Sequence, residues 1–331
     1  MKRALCLSTV ALCLVALQAF GGSGSKNVVD SSKNTGPVVE LNPPEKISFE
    51  FDVEETYVGG GNVERDSFSV RNFNENDFLA RFVFTPRVKF GILRLGFSYE
   101  GYDFGFGPDN QVRYNGFRGG FPGVPLDAEI PNRLQAANFV VGLDTEFTDS
   151  FLIRIEAHPG WYGGGEDMYN RDTFRVPFIA GMTYVYSPSL QFTLGAGVNF
   201  EGKYPVLPGG GVRWQITPQW VLDAVVPRPR LEFEATRNLT LYAGAVIKND
   251  TFRVDEDFGA RAGIRRLDNA YLNYTEVRTG LGIEWKATPE IAVALEGGYQ
   301  PYREFDYQRV HVRYHEDGGQ PYGTLGIHMA F

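Results

Sequence analysis

Four histidines, His158, His311, His315 and His328, are the side chains of this chain best suited to proton transfer near neutral pH. A hydrolase or acyl-transfer centre would need one of them to act as a positioned base beside a Ser, Cys or Thr nucleophile or an activated water. None stands in a recognisable local motif with Ser or Asp. His158 follows Glu156 by two residues, the spacing that puts both on one face of a strand, where polar pairing is the simpler role. His311 and His315 fall in a polar stretch expected to be a loop, and His328 lies near the chain end. The runs "GGGN" at 59 and "GGGE" at 163 lack the Lys-Ser/Thr and following helix of a phosphate cradle, so they are expected to be loop tips. "DED" at 255–257 lacks the spaced ligands of a calcium loop and is expected to be a solvated acidic turn. No catalytic residue, cofactor site or metal site is assigned on this basis.

The remaining chemistry is charge at alternate positions. Acids recur in period-two segments at Glu50, Asp52, Glu54, Glu100, Asp144, Glu146, Glu156, Asp223, Glu232, Glu234, Glu284 and Glu296. Bases recur in the same way at Arg81, Arg94, Arg154, Arg175, Arg213, Arg230, Lys248, Arg278 and Lys286. If the intervening apolar residues face lipid, these charges face a lumen. Twelve acids against nine bases then imply a wet, laterally paired interior with a weak cation preference. Bracing of the wall and conduction use the same residues, and the sequence does not separate them. Glycines on the same rungs, Gly195 and Gly197 among them, widen a lumen or relieve curvature.

Such a lumen has to be built by strands, and period-two ladders fill the chain. In the segment 190–201, Leu190, Phe192, Leu194, Ala196, Val198 and Phe200 alternate with small or polar residues. Similar ladders occur at 47–57, 93–101, 139–147, 151–157, 174–186, 239–247, 277–285 and 291–299. Tight polar turns such as "FTDSF", "SPSL", "TPQW", "TRNL" and "TPEI" alternate with long loops, expected at 104–133, 162–173, 249–269 and 303–320. Short turns on one rim and long loops on the other are the pattern of bacterial outer-membrane barrels. Aromatics fall in two bands, Phe147, Phe151, Tyr184, Tyr186, Trp214, Trp220 and Trp285 beside the short turns and Tyr99, Trp161, Phe200, Tyr271 and Tyr299 toward the other end. Two bands separated by aliphatic rungs fit interfacial girdles, whereas a soluble core gives no reason for them. "VVPRPR" at 225–230 implies a turn, with Arg228 and Arg230 expected to snorkel near the outer rim. With that short hairpin the count is 14 antiparallel transmembrane strands, and without it 12.

The first residues, "MKRALCLSTVALCLVALQAFGGSGSK", have the basic start, apolar run and small-residue exit of a secretory signal peptide, although a retained anchor has similar features. The expected organisation is a signal peptide at 1–22, a flexible leader at 23–45 and a barrel at 46–331. Both cysteines, Cys6 and Cys13, lie in the first segment, so no disulfide holds the exported fold. Removing that segment takes the formal net charge from −8 to −10, which disfavours nucleic acid as a partner.

The final ladder, "YGTLGIHMAF", places Leu325, Ile327, Met329 and Phe331 on one face. It resembles the C-terminal signature that the insertion machinery of bacterial outer membranes reads. The stretch "LPGGGVRWQITPQWVLDAVVPRPRLEFEATRNLTLYAGA" at 207–245 is similar to outer-membrane barrels of unknown-function families, a resemblance that implies fold and location and no site residue. The expected protein is therefore an exported outer-membrane barrel of a Gram-negative bacterium, in contact with membrane lipid and with the insertion machinery. A passive porin-like channel for small hydrophilic solutes is the first functional reading. A non-conducting barrel serving as surface scaffold or adhesin is the second, and a membrane-embedded lipid enzyme the third. No cofactor is implied.

Overall fold

A strand surrounded by lipid must pair on both edges, because each unpaired N–H or C=O costs several kcal/mol there. The wall strands of this protein meet that demand. The computed structural model describes residues 48–65, 68–105, 113–114, 130–165, 168–262 and 264–331. The expected signal peptide, the leader and most of the 104–133 loop lie outside the described residues.

Fourteen antiparallel strands follow one another around a closed wall. They are β1 (Ser48–Arg65), β2 (Phe68–Thr85), β3 (Gly91–Gly105), β4 (Arg133–Thr148), β5 (Phe151–Ala157 continued by Gly160–Gly164), β6 (Phe174–Arg175 continued by Phe178–Ser187) and β7 (Leu190–Val198). Then come β8 (Val206–Gln215), β9 (Trp220–Asp223), β10 (Arg230–Thr236), β11 (Leu239–Arg253), β12 (Tyr271–Lys286), β13 (Ile291–Tyr307) and β14 (Val312–Asp317 continued by Gln320–Ala330). β14 pairs back onto β1, from Glu50 opposite Ala330 to Val58 opposite Tyr322. At the seam the backbones of Phe49 and Phe331 exchange two hydrogen bonds of 3.1 and 3.0 Å. The terminal ladder therefore closes the sheet, and Leu325 and Phe331 stand on its outer face, 51% and 63% exposed.

The strand count rests on the β9–β10 hairpin, which exists and turns at the proline-rich stretch through a cis Val226–Pro227 peptide. Prolines fit there because the neighbouring strand asks them only for acceptors. The carbonyls of Pro227 and Pro229 take the N–H groups of Ile247 and Ala245 at 3.0 and 2.9 Å.

Strand lengths are unequal. The second segment of β6 has 10 residues, β7 has 9, β8 has 10, β9 has 4 and β10 has 7, whereas β1 and β2 have 18 each and β13 has 17. A tilted strand of about 10 residues spans the roughly 25 Å apolar band of an outer-membrane barrel, so strands of 18 overshoot it by about 20 Å. Parts of the segments expected to be loops are the ends of these long strands. Gly59–Gly61 belong to β1, Gly163 and Gly164 to β5, 249–253 to β11 and most of 303–320 to β13 and β14, whereas the rest of 249–269 is a connection, as expected. A glycine-rich or polar run looks like a loop when only the membrane-crossing length of a strand is sought.

The overshooting ends form a narrower outer tier. β11, β12, β13, β14, β1, β2, β3, β4 and β5 pair in that order beyond the short strands. The circle closes where β5 meets β11 in one parallel bridge, Gly163 opposite Arg253. The bridge uses the absence of a side chain, since a Cβ on Gly163 would lie 3.0 Å from Thr173 Cγ2 and 3.2 Å from Met168 Cα.

Within this tier the two faces of each strand exchange roles. On β11 the outward residues Leu241 and Ala243 give way to Asn249 and Arg253, while the inward side passes from Lys248 to buried Phe252. On β2, outward Phe82 and Phe78 give way to Asn76 and Asn74, and inward Asp77 and Glu75 to buried Phe73. The membrane level is apolar outside and charged inside; the outer tier is apolar inside and polar outside, as in a soluble protein. Its core packs Tyr102 on Tyr274 at 4.9 Å, Tyr274 on Phe305 at 5.0 Å and Phe104 on Phe305 at 5.2 Å between ring centroids. A short helix, α1 (Phe258–Arg261), and the turn Arg265–Leu267 cap it with buried Phe258 and Leu267.

Candidate functional site

Inward rungs of the wall carry their charges toward one another, so the lumen is the first place to look for function. At the membrane level Arg94 on β3 is the hub of one cluster. It donates from Nε to Glu156 Oε2 at 2.8 Å and from Nη2 to Glu50 Oε2 at 3.3 Å, with Asp144 at 4.0 Å from Nη1. Arg81 reaches the other oxygen of Glu156 at 3.1 Å, and Arg154 holds Asp144 with both Nε and Nη2 at 2.7 and 2.6 Å. Across the lumen, Arg228 donates to both oxygens of Glu54 at 2.8 and 2.7 Å. Arg230 lies 3.8 Å from Glu296, and Arg213 pairs with Asp223 on the adjacent strand. Arg228 and Arg230 thus span the interior instead of snorkelling at the rim. An opposing carboxylate offers a guanidinium two directed acceptors, a better partner than interfacial water.

Several of these pairs are partly open to solvent, with side-chain exposures of 36% and 25% for Arg154 and Asp144 and 33% and 26% for Arg228 and Glu54. Toward the outer tier the pairs become dry. Lys248 Nζ sits 2.5 Å from Asp77 and 2.6 Å from Glu100, joining β11 to β2 and β3 across the barrel. Arg278 lies 3.0 Å from the same Asp77 and 3.1 Å from Glu276. One layer further out, Arg303 bridges Glu75 and Glu316 at 2.8 Å each, and all three side chains have 0% exposure. The hydroxyl of Tyr274 donates to Glu75 at 2.7 Å, and the ring of Phe73 lies 4.6 Å from the Arg303 guanidinium. The membrane level thus mixes open pairs with the dry Arg94–Glu156–Glu50 hub, with side-chain exposures of 3%, 2% and 5%, and outward of it buried ion pairs give way to the aromatic core.

Three other expected lumen residues lie elsewhere on the wall. Glu146 is exposed beside the short turn 149–150. Glu284 is half-buried on β12, opposite Thr240 and Ala294. Arg175 makes no ion pair among the described residues; it lies against the rings of Tyr162 and Tyr271. Sequence inspection missed Glu75, Asp77, Glu276, Arg303 and Glu316, because they lie beyond the segments whose outward face is apolar. The signal that would have found them is the change of parity between Phe73 and Phe78 on β2.

Histidine geometry bears on the enzyme reading. His158 Nε2 lies 3.0 Å from Glu156, and its Nδ1 is 3.3 Å from Asn138. His328 Nδ1 contacts Asp52 at 2.5 Å, the carboxylate–imidazole pairing found in a catalytic triad. Its Nε2, where a nucleophile would stand, is buried and has no hydrogen-bond partner. No group of three or more metal-ligating side chains is present among the described residues.

The sequence over residues 130–317 matches the family described as Domain of unknown function (DUF6268), which is more than half of the chain. The chain belongs to the DUF6268 family. No protein of curated function matches this DUF6268 chain significantly. Among solved structures it is similar to a monoaromatic hydrocarbon channel, the TodX deltaS2 mutant, at 10% identity and TM-score 0.44, covering 89% of this chain and 93% of that one. It is similar to the COG4313 outer membrane channel from Pseudomonas putida F1 at 10% identity and TM-score 0.44, covering 89% and 99%. It is also similar to the KdgM porin at 8% identity and TM-score 0.33, covering 85% and 99%. What these proteins carry says nothing about this chain.

Proposed function

We propose that this DUF6268 protein is an outer-membrane channel for small hydrophilic solutes that is held closed by its own outer tier. The carrying observation is the lumen, in which partly solvated ion pairs such as Arg154–Asp144 and Arg228–Glu54 lie beside the dry Arg94 cluster and beneath the dry Glu75–Arg303–Glu316 bridge. Solvated pairs make a polar vestibule for small ions and solutes, and an excess of carboxylates gives it a weak cation preference. The bridge and the aromatic core above it form the barrier. Export to the outer membrane, recognition of Leu325, Ile327, Met329 and Phe331 by the insertion machinery, and contact of the apolar wall with lipid belong to the same reading. Nucleic acid has no place in it.

Planar-bilayer recording of refolded protein tests this proposal. The wild type is expected to give rare, brief openings with a reversal potential weighted toward cations. Arg303→Ala, which leaves Glu75 and Glu316 to repel one another, is expected to raise the open probability at least tenfold. Silence from both proteins, each folded by circular dichroism and heat-shifted gel mobility, would defeat the channel and leave a non-conducting surface scaffold. That second reading has its own support in the outer tier, which carries a polar exterior over a packed core, as a domain standing in water does.

A further inference from the structure

Above the short strands, three arginines converge on one tyrosine. The guanidinium carbons of Arg253, Arg309 and Arg175 lie 4.8, 5.2 and 5.7 Å from the centroid of the Tyr271 ring. They come from three places: Arg253 from the end of β11, Arg309 from the turn after β13, and Arg175 from the first segment of β6. Among the described residues no carboxylate lies within ion-pair distance of any of them, although every other cluster of arginines in this barrel is interleaved with acids. Arg253 spends its donors on neutral oxygens, the side chain of Asn269 and the hydroxyl of Tyr271.

Arg175 is the informative member. Its residue exposure is 4%, and Nη2 donates to the carbonyl of Tyr162 at 2.9 Å, while Nε and Nη1 are buried with no partner. A guanidinium that has left water and has two unused donors calls for an acceptor, and cations of like sign brought together strengthen the demand. The acids that act on Arg175 through space are Glu201 and Asp250, and neither forms an ion pair with it. Asp250 is engaged elsewhere, accepting from Tyr102 at 3.2 Å.

We propose that Arg175, Arg253 and Arg309 form a binding site for a phosphate group. Forked guanidinium donors match a tetrahedral oxyanion, and a dianion balances several positive charges where one carboxylate would not. The floor of the site is Tyr271, and one wall is the β5–β11 bridge, which brings Arg253 beside β5, the strand that also pairs with Arg175. It stands where the apolar wall ends, outward of Phe178 on β6 and level with exposed Phe174. A phosphorylated lipid headgroup at the membrane surface and a free phosphorylated solute present the same group there. The inference does not rest on whether the barrel conducts.

Isothermal titration calorimetry on the refolded full-length barrel in a zwitterionic detergent provides the test, with inorganic phosphate as the first probe and sodium chloride at equal ionic strength as the control. Vesicle flotation with and without a phosphorylated glycolipid is the second arm. Saturable phosphate heat that weakens at least tenfold in Arg253→Gln and in Arg309→Gln supports the site and identifies a free solute as a sufficient ligand. Phosphate-silent protein that is retained only by the phosphorylated glycolipid, with retention lost in the same variants, supports the site with a lipid source. Arg309 is exposed, so its variant stays informative if Arg175→Gln fails to fold. Binding that matches chloride in both arms, or that is unchanged in the Arg253 and Arg309 variants, overturns the proposal.

Discussion

The Arg303 side chain has no solvent exposure, and its two carboxylate partners are equally dry. Two acids around one base leave a net negative layer in an apolar setting, and burial pushes the Glu316 carboxyl up to about 7 from its usual 4.5. The Arg303 ion pair acts in the opposite direction and only partly offsets that. An acid whose folded pKa exceeds its unfolded one favours folding in its protonated form, so this contribution is present below about 4.5 and is lost as pH rises through about 7. The wild type is therefore expected to resist urea better at pH 5 than at pH 8, and Glu316→Gln to flatten that dependence. Equal slopes in the two proteins, followed by fluorescence across the pH series, would remove Glu316 as the source. Arg303→Met leaves Glu75 unpaired at 0% exposure and is expected to cost about 3–5 kcal/mol in the same unfolding experiment.

Elements explain why these charges meet where they do. The bridge between β5 and β11 narrows fourteen strands to nine, and it depends on one pair, Gly163 opposite Arg253. Gly163→Val would drive a side chain into Thr173 and Met168, with an expected overpacking cost of about 1–3 kcal/mol. Amide hydrogen exchange reads this directly: protection of 160–164 and 251–254 should fall while that of the seam between β1 and β14 stays. Uniform change in both regions would mean that the outer tier is not a separate unit of stability. Much at this scale is legible in the sequence. The short turns, the β9–β10 hairpin at its prolines and the seam strand ending at Phe331 are all visible as alternation and turn residues. The outer tier is not, because its apolar rungs change parity. On β12, Leu272 and Tyr274 face inward, whereas Leu281, Ile283 and Trp285 face outward. On β13 an extra residue near Gln300, where Val277 pairs Tyr302 but Thr279 pairs Tyr299, hides the change, since Leu295 and Phe305 are both odd-numbered yet face opposite ways. The inward charges differ in legibility for the same reason. Glu50, Arg94 and Glu156 stand on rungs whose neighbours are apolar and exposed, whereas Glu75 and Arg303 stand where the outward face is already polar.

For the whole molecule, the inversion predicts a level at which the medium changes from lipid to water. Leu281 and Leu295 are 70% and 60% exposed on neighbouring strands of the wall, with no protein to cover them. Asn74 and Asn76 face outward on the same barrel beyond the change, where β2 has polar neighbours. A lysine or arginine near the middle of a lipid-facing wall costs about 2–4 kcal/mol, and little where the surface is wet. Leu281→Arg should therefore weaken refolding into bilayers by about that amount, and Asn74→Arg by less than about 0.5 kcal/mol. Folding free energies from urea titration in lipid vesicles decide how the two surfaces of the barrel are covered. If both arginines were tolerated, the apolar wall would be covered by protein partners instead of lipid. If both were costly, the polar outer tier would itself be buried against another molecule. Only the unequal result places the membrane at the band between Tyr57, Tyr99 and Tyr299 on one side and Phe147, Trp214 and Trp285 on the other, with the closed tier standing beyond it.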